Sequence, residues 1–256
     1  VERAARGTDG GHTDMNAAFL ALTIFQGAAS AGSAPLHPFA VGESLVYSAK
    51  LGFLRIGTGN IQVAGIDTVR GIPAYNFRFV VSGGNALYRL NSVLESWTRV
   101  DNLKSLRYLQ DNNENGKVRQ RRFEIYPDSG FYRQEGVKDS LPTVEHPLDD
   151  AAFLFFMRTQ PLEVGREYRL DYYFRKDKNP VILRVEKRQV MELPDGTRVD
   201  CLVVAPIVGD RGLFARKQDA RVWITNDTRR IPVQIRTRYP FGTIILRLEK
   251  MTFAGS

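Results

Sequence analysis

His146-Pro-Leu-Asp-Asp-Ala-Ala-Phe-Leu-Phe-Phe-Met-Arg-Thr-Gln-Pro-Leu-Glu-Val-Gly165 is the stretch on which the reading of the whole chain turns. Asp149 and Asp150 supply the cap and the negative charge of a helix start, and an unbroken apolar run follows from Ala151 to Met157. Pro161 and Gly165 prevent continuation. A solvated helix keeps a polar face, and Ala151, Ala152, Phe153, Leu154, Phe155, Phe156 and Met157 leave none. The helix must therefore be enclosed, and the rest of the sequence decides by what.

From Phe39 onward the chain is punctuated as an all-β protein. Short alternating runs rich in Val, Ile, Tyr, Phe and Thr are broken by Gly, Asn, Asp and Pro. Strands are predicted over 45–50, 54–63, 73–82, 93–100, 103–110, 117–126 and 130–134 before the helix. After it they are predicted over 167–174, 181–190, 198–207, 217–225, 231–239 and 243–253. In 73–82, Tyr75, Phe77, Phe79 and Val81 lie on one side and Asn76, Arg78 and Val80 on the other, so one face is core. Gly52, Gly57 and Gly59 signal a tight bend or bulge, and Leu87-Tyr-Arg-Leu90 reads as a single helical turn. The expectation is one domain: a strongly curved antiparallel sheet or barrel of roughly a dozen strands with one buried apolar helix.

The bulk numbers fit such a domain: 256 residues, 43% hydrophobic and 25% charged, with net charge +8. Basic excess suits anionic lipid, acidic polysaccharide or nucleic acid as a partner, although dispersed charge at alternating strand positions is the simpler source. A single cysteine, Cys201, excludes an intrachain disulfide and a cysteine metal site. Its apolar setting in Cys201-Leu-Val-Val-Ala predicts a buried, inert thiol.

Residues 1–31 read as an upstream extension and a secretory signal peptide. A short apolar core runs from Ala17 to Phe25, with Ala29-Ser30-Ala31 as the cleavage site. The core is too short for a stable anchor, and no cysteine follows it for lipid attachment. The mature protein is expected over 32–256, exported and periplasmic or outer-membrane-associated, with membrane contact at most peripheral. Export in turn argues against a nucleic-acid partner.

Few residues gather any chemistry. Lys117, Arg119 and Arg121 place three cations on one face of a strand, a candidate face for an anionic partner, yet without the interleaved aromatic platform of single-strand binders. Arg175-Lys-Asp-Lys178 reads as a hairpin tip. His146, Asp149 and Asp150 are the clustered residues that suggest a metal site or a general base, and helix capping accounts for the two carboxylates. No G-x-S-x-G elbow, H-E-x-x-H pair or Walker loop is present, so neither catalysis, a metal nor a cofactor is expected. Phe153, Phe155, Phe156, Met157, Trp97 and Trp223 are the candidate lining of a ligand cavity, with a filled core as the alternative for the helix residues.

Several pieces carry a family resemblance: Phe39-Ala-Val-Gly-Glu-Ser-Leu-Val-Tyr47, Glu95-Ser-Trp97, Pro147 through Thr159, Leu162-Glu-Val-Gly-Arg-Glu-Tyr168 and Val222-Trp-Ile-Thr-Asn-Asp-Thr-Arg-Arg-Ile-Pro-Val233. In this order and spacing they resemble the bacterial domain-of-unknown-function family 3108. The resemblance implies an exported envelope protein of all-β fold and no catalytic residues to carry over. The segment from Trp223 to Arg238 is also similar, more weakly, to the last strands of the periplasmic lipoprotein-carrier superfamily. Those proteins hold acyl chains between a curved, incomplete barrel and helices, and the carriers' long helical lid is not evident here. The first functional expectation is thus a non-enzymatic envelope protein binding a lipid or glycan-containing component in or along a curved sheet. The second is an assembly partner docking onto an envelope protein or acidic polysaccharide, and an envelope hydrolase ranks last.

Overall fold

The computed structural model describes residues 37–84, 89–209, 214–240 and 242–253. The expected signal peptide lies outside these residues, and Pro35–Ser256 forms one compact unit. Its strands are β1 (Ser44–Leu51), β2 (Leu54–Val69), β3 (Ile72–Gly84), β4 (Arg89–Arg99), β5 (Ser105–Glu114), β6 (Lys117–Tyr126), β7 (Phe131–Gln134) and β8 (Ser140–Pro142). The helix α1 (Asp150–Thr159) follows, and then β9 (Glu167–Leu170), β10 (Val181–Glu192), β11 (Arg198–Ile207), β12 (Arg221–Thr225), β13 (Pro232–Tyr239) and β14 (Gly242–Thr252). All fourteen strands belong to one sheet, in the order β8-β7-β6-β5-β4-β3-β2-β1-β14-β13-β12-β11-β10-β9. Every neighbouring pair is antiparallel, from β7 with β8 at one edge, through β1 with β14, to β9 with β10 at the other.

This is an up-and-down meander in which each strand pairs with its neighbours in sequence, and β1 with β14 ties the first strand to the last. The ladder breaks at one place, between the edge strands β8 and β9, and the chain spans that break with α1. The edges nevertheless approach each other. Leu148 donates its N–H to Tyr172 O at 2.6 Å, and Phe174 donates to Leu148 O at 2.9 Å, forming an isolated parallel bridge. Phe174, just past β9, meets Phe123 of β6 at 5.1 Å and Tyr132 of β7 at 5.0 Å between ring centroids. The sheet therefore curls until its two ends share one aromatic cluster, but it does not close.

Local chemistry accounts for the bends. Gly57 and Gly83 face each other across β2 and β3, where the ladder with β1 slips by one residue at Ile56. A Cβ on Gly57 would lie 2.2 Å from Ser82 O, and one on Gly83 2.2 Å from Ile56 O, so only glycine permits the approach. Of the turn expected over Leu87–Leu90, Leu87 and Tyr88 lie outside the described residues, and Arg89 and Leu90 correct the rest: they begin β4, paired with Gly84 and Gly83. The run expected over 217–225 divides into a 3-10 turn at Arg216–Gln218 and β12, where Asp219 takes a left-handed conformation (φ +47°). The charge run after β9 forms a 3-10 turn over Lys176–Lys178.

Candidate functional site

The helix fills the hollow of the sheet. Asp149 is its N-cap, extended at φ −106° and ψ −178°, and its Oδ1 accepts from Ala151 N at 3.0 Å and Ala152 N at 2.9 Å. Phe153, Phe155 and Met157 are buried, in one continuous core with side chains from both halves of the sheet, among them Tyr47, Ile61, Phe77, Tyr108, Ile125, Leu183, Val204, Val222 and Leu246. Phe155 stacks on Phe77 with centroids 3.9 Å apart, and Phe153 meets Phe214 edge-on. Phe156 is half-buried against Tyr172 beside the break in the sheet. The helix side chains thus act as the plug.

Trp97 lies outside this core, whereas Trp223 is buried within the same continuous cluster. Strand alternation turns Trp97 to the face opposite Ser96 and Thr98, where it packs with Val69, Ala74 and Leu106 and donates to Asp67 Oδ2 at 2.7 Å. Trp223 likewise lies opposite Val222 and Ile224, donating to Gln189 Oε1 at 3.1 Å under the Arg236 guanidinium. A side-chain period of two sets each on the strand face opposite those neighbours. Two clefts, of about 540 and 390 Å³, are lined by Leu162, Val164, Arg188 and Leu202 and by Ile56, Gly83 and Arg89, respectively. No helix side chain lines either cleft.

Two polar networks are built around the helix ends. At its start, Asp149 Oδ2 accepts from Ser96 Oγ at 2.6 Å, Ser96 shares a hydrogen bond with Thr98, and Asp149 N donates to Ser105 Oγ. Burial raises the Asp149 carboxyl to about 7, against the opposing pull of these hydrogen bonds. Both its oxygens are occupied, so it serves the helix and not a substrate. Asp150 Oδ2 accepts from Tyr108 OH at 2.9 Å, and Lys178 Nζ donates to Tyr173 OH at 3.1 Å in the same cluster. Desolvation raises both phenols well above their ordinary range and lowers Lys178. At the other end Arg158, 2% exposed, forms two hydrogen bonds with Glu43 and donates to Pro38 O and Arg229 O. A cation at a helix C-terminus suits the dipole, and the ion pair ties the entry to β1 and the β12–β13 turn to the helix.

His146, Asp149 and Asp150 do not converge. His146 faces Glu145 and Tyr172, while the carboxylates serve Ser96 and Tyr108. Among the described residues no group of three His, Cys, Asp or Glu side chains is placed to hold a metal. Cys201 is buried, and desolvation pushes its thiol up to about 12, leaving it protonated and inert.

The basic strand is the accessible feature. Residues 117–122 of β6 are exposed on both faces, and because β7 pairs only with 123–126 this half of the strand also projects past its neighbour. Lys117, Arg119 and Arg121 have the parity of Phe123 and Ile125, which are core, so they continue the inner face of the sheet beyond its filled part. Their cross-strand neighbours on β5 are Glu114, Asn112 and Gln110. No carboxylate is ion-paired with these three cations among the described residues. Arg121 lies within electrostatic reach of Lys178. The inner-face cations thus lie on the side of the sheet that carries Lys178 and the Asp150–Tyr108–Tyr173 cluster.

A family profile described as "Protein of unknown function (DUF3108)" matches residues 46–249, from β1 to β14. The chain belongs to the DUF3108 family. The DUF3108 sheet is similar to a β-barrel-like protein of domain of unknown function DUF1849 from Brucella abortus, at TM-score 0.56 and 12% identity, over 84% of this chain and 98% of that one. At such identity the likeness concerns the fold. A protein from Parabacteroides distasonis described as a candidate lipoprotein aligns at TM-score 0.34 and 10% identity, over 84% and 97% of the two chains. No protein with a curated description matches the chain.

Proposed function

We propose that this DUF3108 chain is a non-enzymatic envelope protein, exported and at most peripherally membrane-associated, that binds an anionic lipid or glycan-bearing component along the inner face of its sheet. The observation that carries the reading is the projecting half of β6, where Lys117, Arg119 and Arg121 extend the core-facing side into solvent without carboxylate partners among the described residues. Since Phe153, Phe155 and Met157 are core, a ligand would rest against the plugged hollow and not replace the helix. Its charged group would meet the cations, in part-screened surroundings where association weakens with salt. The test is calorimetric titration of the chain with lipopolysaccharide and with a polyuronate, comparing wild type with Lys117→Gln/Arg119→Gln/Arg121→Gln. Binding at least tenfold weaker in the triple variant is expected, and undiminished binding to both would remove this face from consideration.

The second reading, docking onto another envelope protein, is favoured by the same half-strand's free backbone edge. Its outward N–H and C=O groups can receive an added strand. Gln120→Pro would break that docking while leaving the cations in place.

A further inference from the structure

The opposite face of the sheet carries a second basic feature, next to the most exposed large apolar side chain described. Gly52 and Phe53 form the two-residue turn joining β1 to β2, with Leu51 paired to Leu54 and Gly52 at φ +60°. A turn of this length directs its side chains away from the sheet, and nothing in its geometry asks for an aromatic at the second position. Phe53 is 92% exposed and Leu54 56% exposed. Leu51, half-buried, lies over Gly242 at the start of β14 and braces the tip from the neighbouring hairpin. A lone exposed phenylalanine needs no explanation, but a tip reading Leu51-Gly52-Phe53-Leu54 is a contiguous apolar projection.

Directly beneath that tip the registers align one row across four strands: Arg55 opposite Lys50, Lys50 opposite Ile245, and Ile245 opposite Arg236. Arg238 and Arg247 stand on the same outer side of β13 and β14, by alternation with the core residues Ile235, Leu246 and Leu248. Against these five cations stand Glu249, paired with Arg55, and Asp219, 3.7 Å from Arg238. An apolar tip with a cationic belt one row behind it has the layout of an interfacial anchor: side chains that leave water for the acyl boundary, and charges held at headgroup depth. We infer that the β1–β2 tip inserts Phe53 and Leu54 into an anionic lipid bilayer, with Lys50, Arg55 and Arg236 at the phosphate level. This docking is independent of the β6 face, which lies on the other side of the sheet.

The test uses the full chain carrying Phe53→Trp, with the emission of the wild-type chain, from Trp97 and Trp223, subtracted. With vesicles containing phosphatidylglycerol the added indole is expected to shift to the blue and to be quenched by brominated acyl chains. Pure phosphatidylcholine vesicles should give at most a tenth of that response. Phe53→Ser/Leu54→Ser is expected to lower the fraction of chain bound to anionic vesicles at least tenfold relative to wild type. The response at position 53 should persist in the Lys117/Arg119/Arg121 triple variant. An unshifted indole, or an equal response to neutral vesicles, would overturn the assignment. So would a blue shift that grows with protein concentration in the absence of lipid, which would make the tip a contact between two copies.

Discussion

Asp149 carries an ordinary aspartate pKa of 3.8 when the chain is unfolded and about 7 when folded, with desolvation the largest cause. The raised value means that the native state binds this proton more tightly than the unfolded one. Stability from this group is therefore fully present below about pH 4 and is lost as pH rises through about 7, by up to about 4 kcal/mol at about 1.4 kcal/mol per unit. Asp149→Asn keeps a capping oxygen for Ala151 and Ala152 but cannot ionise. Urea unfolding at pH 5 and pH 7.5 should show wild type losing more stability across that interval than the variant. Equal losses would mean that the Ser96 and backbone hydrogen bonds keep the carboxylate ionised throughout. Arg158 and Glu43 differ from Asp149 in that each neutralises the other, which is how a helix otherwise apolar along its length tolerates a buried guanidinium.

At the scale of elements, α1 is held by side chains more than by its own propensity, for a helix of ten residues is marginal alone. Phe155 stacks on Phe77 and touches Phe39, so Phe155→Ala should cost about 3–5 kcal/mol, read as a fall in the urea midpoint without a change of slope. A lining residue of an open pocket would cost less. The position of α1 is legible in the sequence because the Asp149 cap, the apolar run and Pro161 are local signals, and the strand bounds are legible because alternation is local too. β6 and β11 fall on 117–126 and 198–207 as expected. The short β8, Ser140–Pro142, escapes because three exposed residues carry no alternation to read. The candidate site is less legible. Nothing nearby in the chain reveals that Glu43 meets Arg158, or that Tyr108, Asp150, Tyr173 and Lys178 gather, because those meetings are made by curvature. A lone arginine at the end of an apolar helix is the one local hint. For a related reason Trp97 lies apart from the helix's core while Trp223 joins it, since alternation fixes which residues share a face but not which face is inside.

For the described sheet as a whole, the break between β8 and β9 sets the order in which parts can open. The β1–β14 ladder joins strands some two hundred residues apart in sequence, and no part of the meander can leave it without exposing core such as Tyr47, Leu246 and Leu248. At the break, by contrast, two backbone hydrogen bonds through Leu148, the Thr143 contacts to Gly130 and Phe174, and the Phe174 aromatic cluster stand in for a ladder. Separating them bends the two edges apart while every strand pair stays intact. In native-state hydrogen exchange the amides of Leu148 and Phe174 should accordingly exchange by a partial opening, with protection about a hundredfold or more below that of Tyr47 and Leu248, which should report global unfolding. Exchange of both sets at one common free energy would mean that the helix closes the sheet as firmly as hydrogen-bonded strands do. A partial opening would instead mark the break, with Phe156 and Tyr172 beside it, as the route by which the plugged hollow can be entered without unfolding the sheet.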